Sequence, residues 1–212
     1  MNFQQQTDQM LTQLSDHATL LLHSCCGPCS SYVLSYLSRY FSRITVLYYN
    51  PCIHPKEEFE KRLAEQRRLI DQMPTDCPVD LWVPPYEPQT FFHLVTGMEH
   101  CPEGGERCKV CFEQRLQETA RLAQEKNYTH FATTLTVSPH KNAMVINEVG
   151  QTVSQATNTV YLPSDFKKKE GYKQSLQLSA QYGLYRQNYC GCIFSKEASH
   201  GTSIIDLESQ SR

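Results

Sequence analysis

Two kinds of hydrophobic run alternate along the chain, and together they predict a parallel α/β fold. Residues 18–23 (ATLLLH) form a nearly unbroken apolar segment, the pattern of a strand buried on both faces. The segment ends in Ser-Cys-Cys-Gly-Pro-Cys, and the following SSYVLSYLSRYF has helical spacing. A second strand is predicted over 44–49 and is closed by Asn50-Pro51. Pro55 then opens a long amphipathic helix, KEEFEKRLAEQRRLIDQM, at a position where proline costs no hydrogen bond. Further strands are predicted over 79–83, 128–135 and 159–162, and helices over 91–95, 111–126, 142–155 and 172–182. Residues 2–15 read as a weak polar helix.

Strand, glycine-containing turn and helix start make the first unit of a doubly wound fold, whose ligands bind beyond the carboxyl ends of the strands. The expected architecture is a Rossmann-like parallel sheet flanked by helices, with loop insertions carrying cysteines. No internal repeat divides the 212 residues. A single α/β domain is expected over 1–195, followed by a polar, serine-rich tail over 196–212.

Charge and composition narrow the function classes. A formal net charge of −2 excludes a protein that coats nucleic acid through its overall field, so any such contact needs a local patch. The N-terminal MNFQQQTDQMLTQLSDH has neither a basic n-region nor an apolar h-region, and 18–22 is too short to span a bilayer. The expectation is a cytoplasmic protein with no membrane partner. In that compartment ten cysteines are read as thiols and not as five disulfides.

Six of those cysteines fall in three knots: Cys25-Cys26, Cys108-x-x-Cys111 and Cys190-Gly191-Cys192. The first pair occupies the turn where a nucleotide enzyme would cradle phosphate, beside a helix N-terminus that favours thiolate. Cys108 and Cys111 stand at the start of a helix. Alone, CxxC is ambiguous between zinc, half of an iron–sulfur site and a dithiol. A zinc site could be built from Cys25, Cys26, Cys108 and Cys111, but adjacent ligands fit the usual zinc spacing poorly. Several metal atoms spread over a larger volume suit adjacent thiolates better, which favours an iron–sulfur centre. A disulfide within Cys190-Gly191-Cys192 would close a small, strained ring and suits a labile two-electron store. The competing reading makes these two further metal ligands. Cys29 is a possible fifth member of the first set. Cys52, Cys77 and Cys101 are read as ordinary small residues, and His54 as a turn histidine.

On the substrate side, Lys167, Lys168, Lys169 and Lys173, with Arg186 further on, form a cationic stretch interleaved with Phe166, Tyr172, Tyr185 and Tyr189. Such a stretch could hold a phosphate backbone and stack an unpaired base. The plainer reading is a solvated surface. The charges of Lys61, Arg62, Arg67 and Arg68 are balanced by Glu57, Glu58, Glu60 and Glu65, so that helix is expected to present a charge-laced outer face.

Five segments, LLLHSCCGPCSSY, YYNPCIHPKEEFEKR, GGERCKVCFEQRL, FATTLTVSPHKN and DFKKKEGYKQS…YGLYRQNYCGC, together resemble the QueH family of cobalamin-independent epoxyqueuosine reductases. The resemblance runs from about Leu20 to Ser195. It implies a HUP-like fold related to PP-loop tRNA-modifying enzymes and a [4Fe-4S] cluster bound by Cys25, Cys26, Cys108 and Cys111. It also implies a redox-active disulfide of Cys190 and Cys192. The implied reaction is reduction of epoxyqueuosine to queuosine at the wobble position of tRNA with a GUN anticodon, supplied by an external low-potential electron donor. Converting an epoxide to an alkene takes two electrons and two protons and releases water. The leaving oxygen needs an electrophile: an open iron site, a second bound metal such as an additional iron, or a general acid. Asp165, His140 and Tyr189 are the candidates for metal binding or proton donation. Three rival classes are a PP-loop-like tRNA-modifying ATPase, a zinc-stabilised tRNA-binding module and a thiol oxidoreductase acting on proteins. The first lacks an SGGxDS-like phosphate loop after the opening strand.

Overall fold

The computed structural model describes residues 2–200, with side chains through 196. Five parallel strands build one sheet: β1 (Thr19–His23), β2 (Arg43–Leu47), β3 (Val79–Trp82), β4 (His130–Thr133) and β5 (Val160–Tyr161). Their order is β3-β2-β1-β4-β5, and every neighbouring pair is parallel. The expected Rossmann-like α/β class is therefore the observed one. The order reverses between β1 and β4, which leaves a crevice at their carboxyl ends.

Among the described residues eight helices flank or extend the sheet: α1 (Phe3–Leu11), α2 (Gly27–Leu37), α3 (Lys56–Gln72), α4 (Pro88–Leu94), α5 (Glu106–Glu125), α6 (Ala143–Gln155), α7 (Gly171–Gln181) and α8 (Ile193–His200). A 3-10 turn, Thr134–Val137, follows β4 directly, so the strand expected over 128–135 is shorter than its apolar run. Helix α8 crosses the boundary expected at 195/196, and the rest of that tail lies outside the described residues.

The apolar run of β1 is continuous because both of its faces are covered. Leu20 and Leu22 point to one side, where they pack with Val33, Leu34 and Leu37 of α2. Leu21 points to the other, among Leu116 and Ala120 of α5 and Ile146 and Val149 of α6. All three leucines are fully buried, each worth about 1.5–3 kcal/mol of hydrophobic stabilisation. A third cluster, with Tyr48, Phe59, Phe91 and Val95, backs Cys52, Cys111 and Cys192 beyond the carboxyl end of β2. Among the described residues no helix is long and apolar enough to cross a membrane.

Candidate functional site

The turn after β1 is braced before any cysteine is considered. Ser24 and Ser30 place their hydroxyls 2.5 Å apart, and each lies 2.8 Å from Oε1 of the buried Gln66 on α3. Asn50, just past β2, donates its Nδ2–H to the Ser24 carbonyl at 2.8 Å. At the end of β1, His23 is fully buried between Thr133 Oγ1 (2.9 Å) and the Tyr49 carbonyl (3.2 Å). Burial pulls its pKa down to about 3, so it stays neutral and acts as a spacer between strands.

On this frame Cys25, Cys26 and Cys29 bring their sulfurs within 4.8 Å of one another, a group that could hold a metal ion. Cys26 caps α2, Cys29 lies on its first turn, and the Cys25 and Cys26 sulfurs are 3.8 Å apart. Hydrogen bonds from Cys26 and Cys29 hold the Cys25 thiol well below its ordinary range. The same contacts push Cys26 up to about 11 and Cys29 upward too. Cys108 and Cys111 sit in the opening turns of α5, as expected; burial raises Cys108, whose sulfur accepts the Gly104 N–H at 3.2 Å. Cys111 interacts with Cys52, which lies beyond β2. That contact lowers Cys52 to about 6 and raises Cys111.

Two cavities share this edge of the sheet. The larger, about 580 Å³, is lined by Cys25 and Cys29, by His140 and Lys141, and by Gln187 and Tyr189 among others. The smaller is lined by Cys52, Cys108, Cys111, Cys192, Arg115 and Lys141 among others. Cys190 and His140 line both. Cys190 and Cys192 are free thiols, like the other eight, and burial pushes Cys192 up to about 12.

Two cations, Arg115 and Lys141, stand beside the thiols with no ion pair among the described residues, although Glu103 lines both cavities and accepts a hydrogen bond from Ser195. Arg115 is buried, donates Nε–H to the Cys111 carbonyl at 3.0 Å, and leaves Nη2 without a partner. Burial works against its charge, and the sulfurs of Cys111, Cys52, Cys190 and Cys25 outweigh that. Lys141 is held in the same way by Cys190, Cys25 and Cys29. Arg62 is only 1% exposed and does have an acid, Glu58, at 2.6 Å. The expected outer face of α3 is thus corrected at Arg62, and Gln66 shares its burial. Both point inward, because α3 lies over the cysteine turn and Gly191 (a Cβ on Gly27 would sit 3.1 Å from the Glu65 carbonyl).

The remaining expected residues scatter. His140 is exposed at the lip of both cavities, and half-buried Tyr189 lines the larger one under the Arg62 guanidinium. Asp165 lines neither; its carboxylate pairs with Lys167 at 2.5 Å. Lys169 pairs with Asp8, Lys173 with Glu170, and Lys168 is exposed. Arg186 lines the larger cavity and donates to Ser179 at 3.1 Å.

Sequence reasoning missed Arg62, Arg115, Lys141 and Cys52. Arg115 lies four residues after Cys111 on one helix face, Lys141 adjoins His140, and Cys52 follows a strand end. Those positions were the available signals.

Fold and site define a doubly wound α/β protein with a thiol-rich, cation-lined centre at its switch point. The model for the family Epoxyqueuosine reductase QueH matches residues 20–198. Curated proteins named Epoxyqueuosine reductase QueH align over most of the chain. The one from Streptococcus pyogenes serotype M1 is 39% identical, covering 98% of this chain and 82% of that protein. The one from Staphylococcus epidermidis is 43% identical over 83% and 75%, and that from Thermotoga maritima 31% over 84% and 90%. This chain belongs to the QueH family of epoxyqueuosine reductases, a family of oxidoreductases.

Proposed function

We propose that this protein reduces epoxyqueuosine to queuosine at the wobble position of tRNA with a GUN anticodon, in the cytoplasm. Its proposed cofactor is a [4Fe-4S] cluster held by Cys25, Cys26, Cys108 and Cys111. Cys190 and Cys192 act as the redox-active pair, and an external low-potential donor restores the electrons. The observation that carries this reading is the position of Cys190. It lines the cavity of Cys25 and Cys29 and also that of Cys108, Cys111 and Cys192.

The residues present fit an anionic, thiolate-bound group. A buried guanidinium with an orphaned Nη2 and a half-buried ammonium, neither in an ion pair among the described residues, are costly unless negative charge lies beside them. The cluster, when bound, supplies low-potential electrons one at a time.

The chain's own residues account for the rest. Breaking both C–O bonds of the epoxide and forming C=C consumes two electrons and two protons, and the oxygen leaves as water. The larger cavity is of a size that encloses a small-molecule group. Tyr189 and His140 stand at its wall to donate protons to the departing oxygen. Lys141 places positive charge where negative charge develops on that oxygen. Asp165 would reach the site only after releasing Lys167, and serves as the third candidate donor. Arg186, at the rim, and Lys167, Lys168, Lys169 and Lys173 contact the tRNA backbone, the paired lysines exchanging carboxylates for phosphates.

Incubation with tRNA from cells lacking the final queuosine step, under anaerobic reducing conditions, should convert the epoxide to queuosine by nucleoside mass spectrometry. Persistence of the epoxide with an intact cluster overturns the reading. Zinc at about one per chain, without iron or sulfide, would instead favour the zinc-stabilised tRNA-binding module, for which the three clustered thiols of Cys25, Cys26 and Cys29 supply a ready site.

A further inference from the structure

We propose that Arg62 is a positioning residue that holds the Cys190-Gly191-Cys192 loop in its open dithiol form and thereby sets the reduction potential of that pair. The inference rests on the reading of Cys190 and Cys192 as redox partners.

Arg62 reaches the loop from α3 through both terminal nitrogens of its guanidinium. Nε–H is taken by Glu58 at 2.6 Å, Nη1 donates to the Cys190 carbonyl at 3.0 Å, and Nη2 faces the Tyr189 carbonyl at 3.4 Å. The cation also lies 5.2 Å from the centre of the Tyr189 ring. Glu58 is fixed in turn by the Tyr185 hydroxyl at 3.3 Å. Gly191 is threaded past the same group. Its φ is +124°, and a Cβ there would come within 2.8 Å of Nη1 and 3.1 Å of Ile53. The Gly191 carbonyl accepts the His54 N–H at 2.9 Å, so the loop is pinned on two sides.

Closing a disulfide between residues two apart must draw their Cβ atoms together and rotate the intervening peptide. The Cys190 carbonyl that would swing is the one Arg62 holds. A charged hydrogen bond to a half-buried carbonyl, fixed by a planar fork, resists that rotation more than a lysine could. Arg62 therefore favours the dithiol over the disulfide, which makes the disulfide a stronger oxidant and the spent pair easier to recharge.

The test equilibrates the anaerobic full-length protein in glutathione buffers. There the dithiol plus one oxidised glutathione gives the disulfide plus two reduced glutathiones. Trapping by alkylation and mass spectrometry of the peptide carrying Cys190 and Cys192 reads the equilibrium constant. Arg62→Met should shift it about tenfold toward the disulfide, roughly 30 mV for a two-electron couple. Arg62→Lys should shift it in the same direction, because one ammonium cannot replace the fork. Glu58→Gln, which leaves the guanidinium in place but loosens it, should give a smaller shift and keeps the test open if Arg62→Met fails to fold. A purely structural role would lower the melting temperature and leave the equilibrium constant unchanged in Arg62→Lys and Glu58→Gln; that result overturns the proposal. If the wild-type pair forms no disulfide at any glutathione ratio, the redox-pair reading falls and Arg62 with it. A wild-type pair that does form one, with variants that match it, removes Arg62 alone.

Discussion

The cysteine pocket and the lysine-rich segment at 165–173 both concentrate charge, and they treat it in opposite ways. In the segment, Lys167, Lys169 and Lys173 each meet a carboxylate, and the last two are about 60% exposed. Pairs of that kind contribute little to stability and exchange readily with solvent. In the pocket, Arg115 and Lys141 form no ion pair among the described residues, the nearby Glu103 being engaged by Ser195, and Arg115 is buried. Surface charge costs almost nothing to keep, whereas buried charge without a counter-ion persists only where an anion is to be held. The contrast favours the thiols as the place of chemistry, and under the proposed function it leaves the lysines an auxiliary grip on tRNA.

The largest effect should come from removing a thiol in the pocket. Cys25→Ser or Cys111→Ser should abolish iron retention and lower turnover by at least about a hundredfold. Cys190→Ser and Cys192→Ser should abolish turnover while leaving the visible absorbance of the cluster intact. Loss of that absorbance in either would make them ligands and merge the two groups of cysteines into one.

Arg115→Met sharpens the same contrast from the cationic side. Iron retention should drop about tenfold, as for other groups that orient or neutralise a metal site. The metal-free protein should melt no lower than wild type, because the variant buries no uncompensated charge. A lower melting temperature in the metal-free form would show that Arg115 serves the fold instead.

The smallest effects belong to the surface. Arg186→Ala, at the cavity rim, should weaken tRNA binding more than Lys169→Ala. Lys169→Ala should reduce the salt dependence of log Kd by at most about one. Filter binding across a salt series measures both, and a larger loss at Lys169 would promote the paired lysines to primary contacts.

Much of the fold was legible because its signals are local. The two-sided apolar run of β1, the proline at the head of α3 and the break at Asn50-Pro51 predicted their elements to within a few residues. The first half of the 3-10 turn after β4 was read as strand because Leu135 is as apolar as a strand residue and differs only in backbone path. Arg62 was read as solvent-facing because its charge is balanced along the helix like that of its neighbours. Its burial follows from the loop at Cys190 folding over it, 128 residues away in the chain.

The sequence by itself determined the parallel α/β class, the six knotted cysteines and the family resemblance, since strand periodicity, turn chemistry and motif spacing are written within short windows. Tertiary structure alone decided that Cys29 joins Cys25 and Cys26, that Cys52 meets Cys111, and that Arg62, Arg115 and Lys141 close around them. Those contacts join segments up to 128 positions apart, as between Arg62 and Cys190. The fold creates such proximity by stacking β1, β2 and β4 side by side, so that their carboxyl ends open on one crevice.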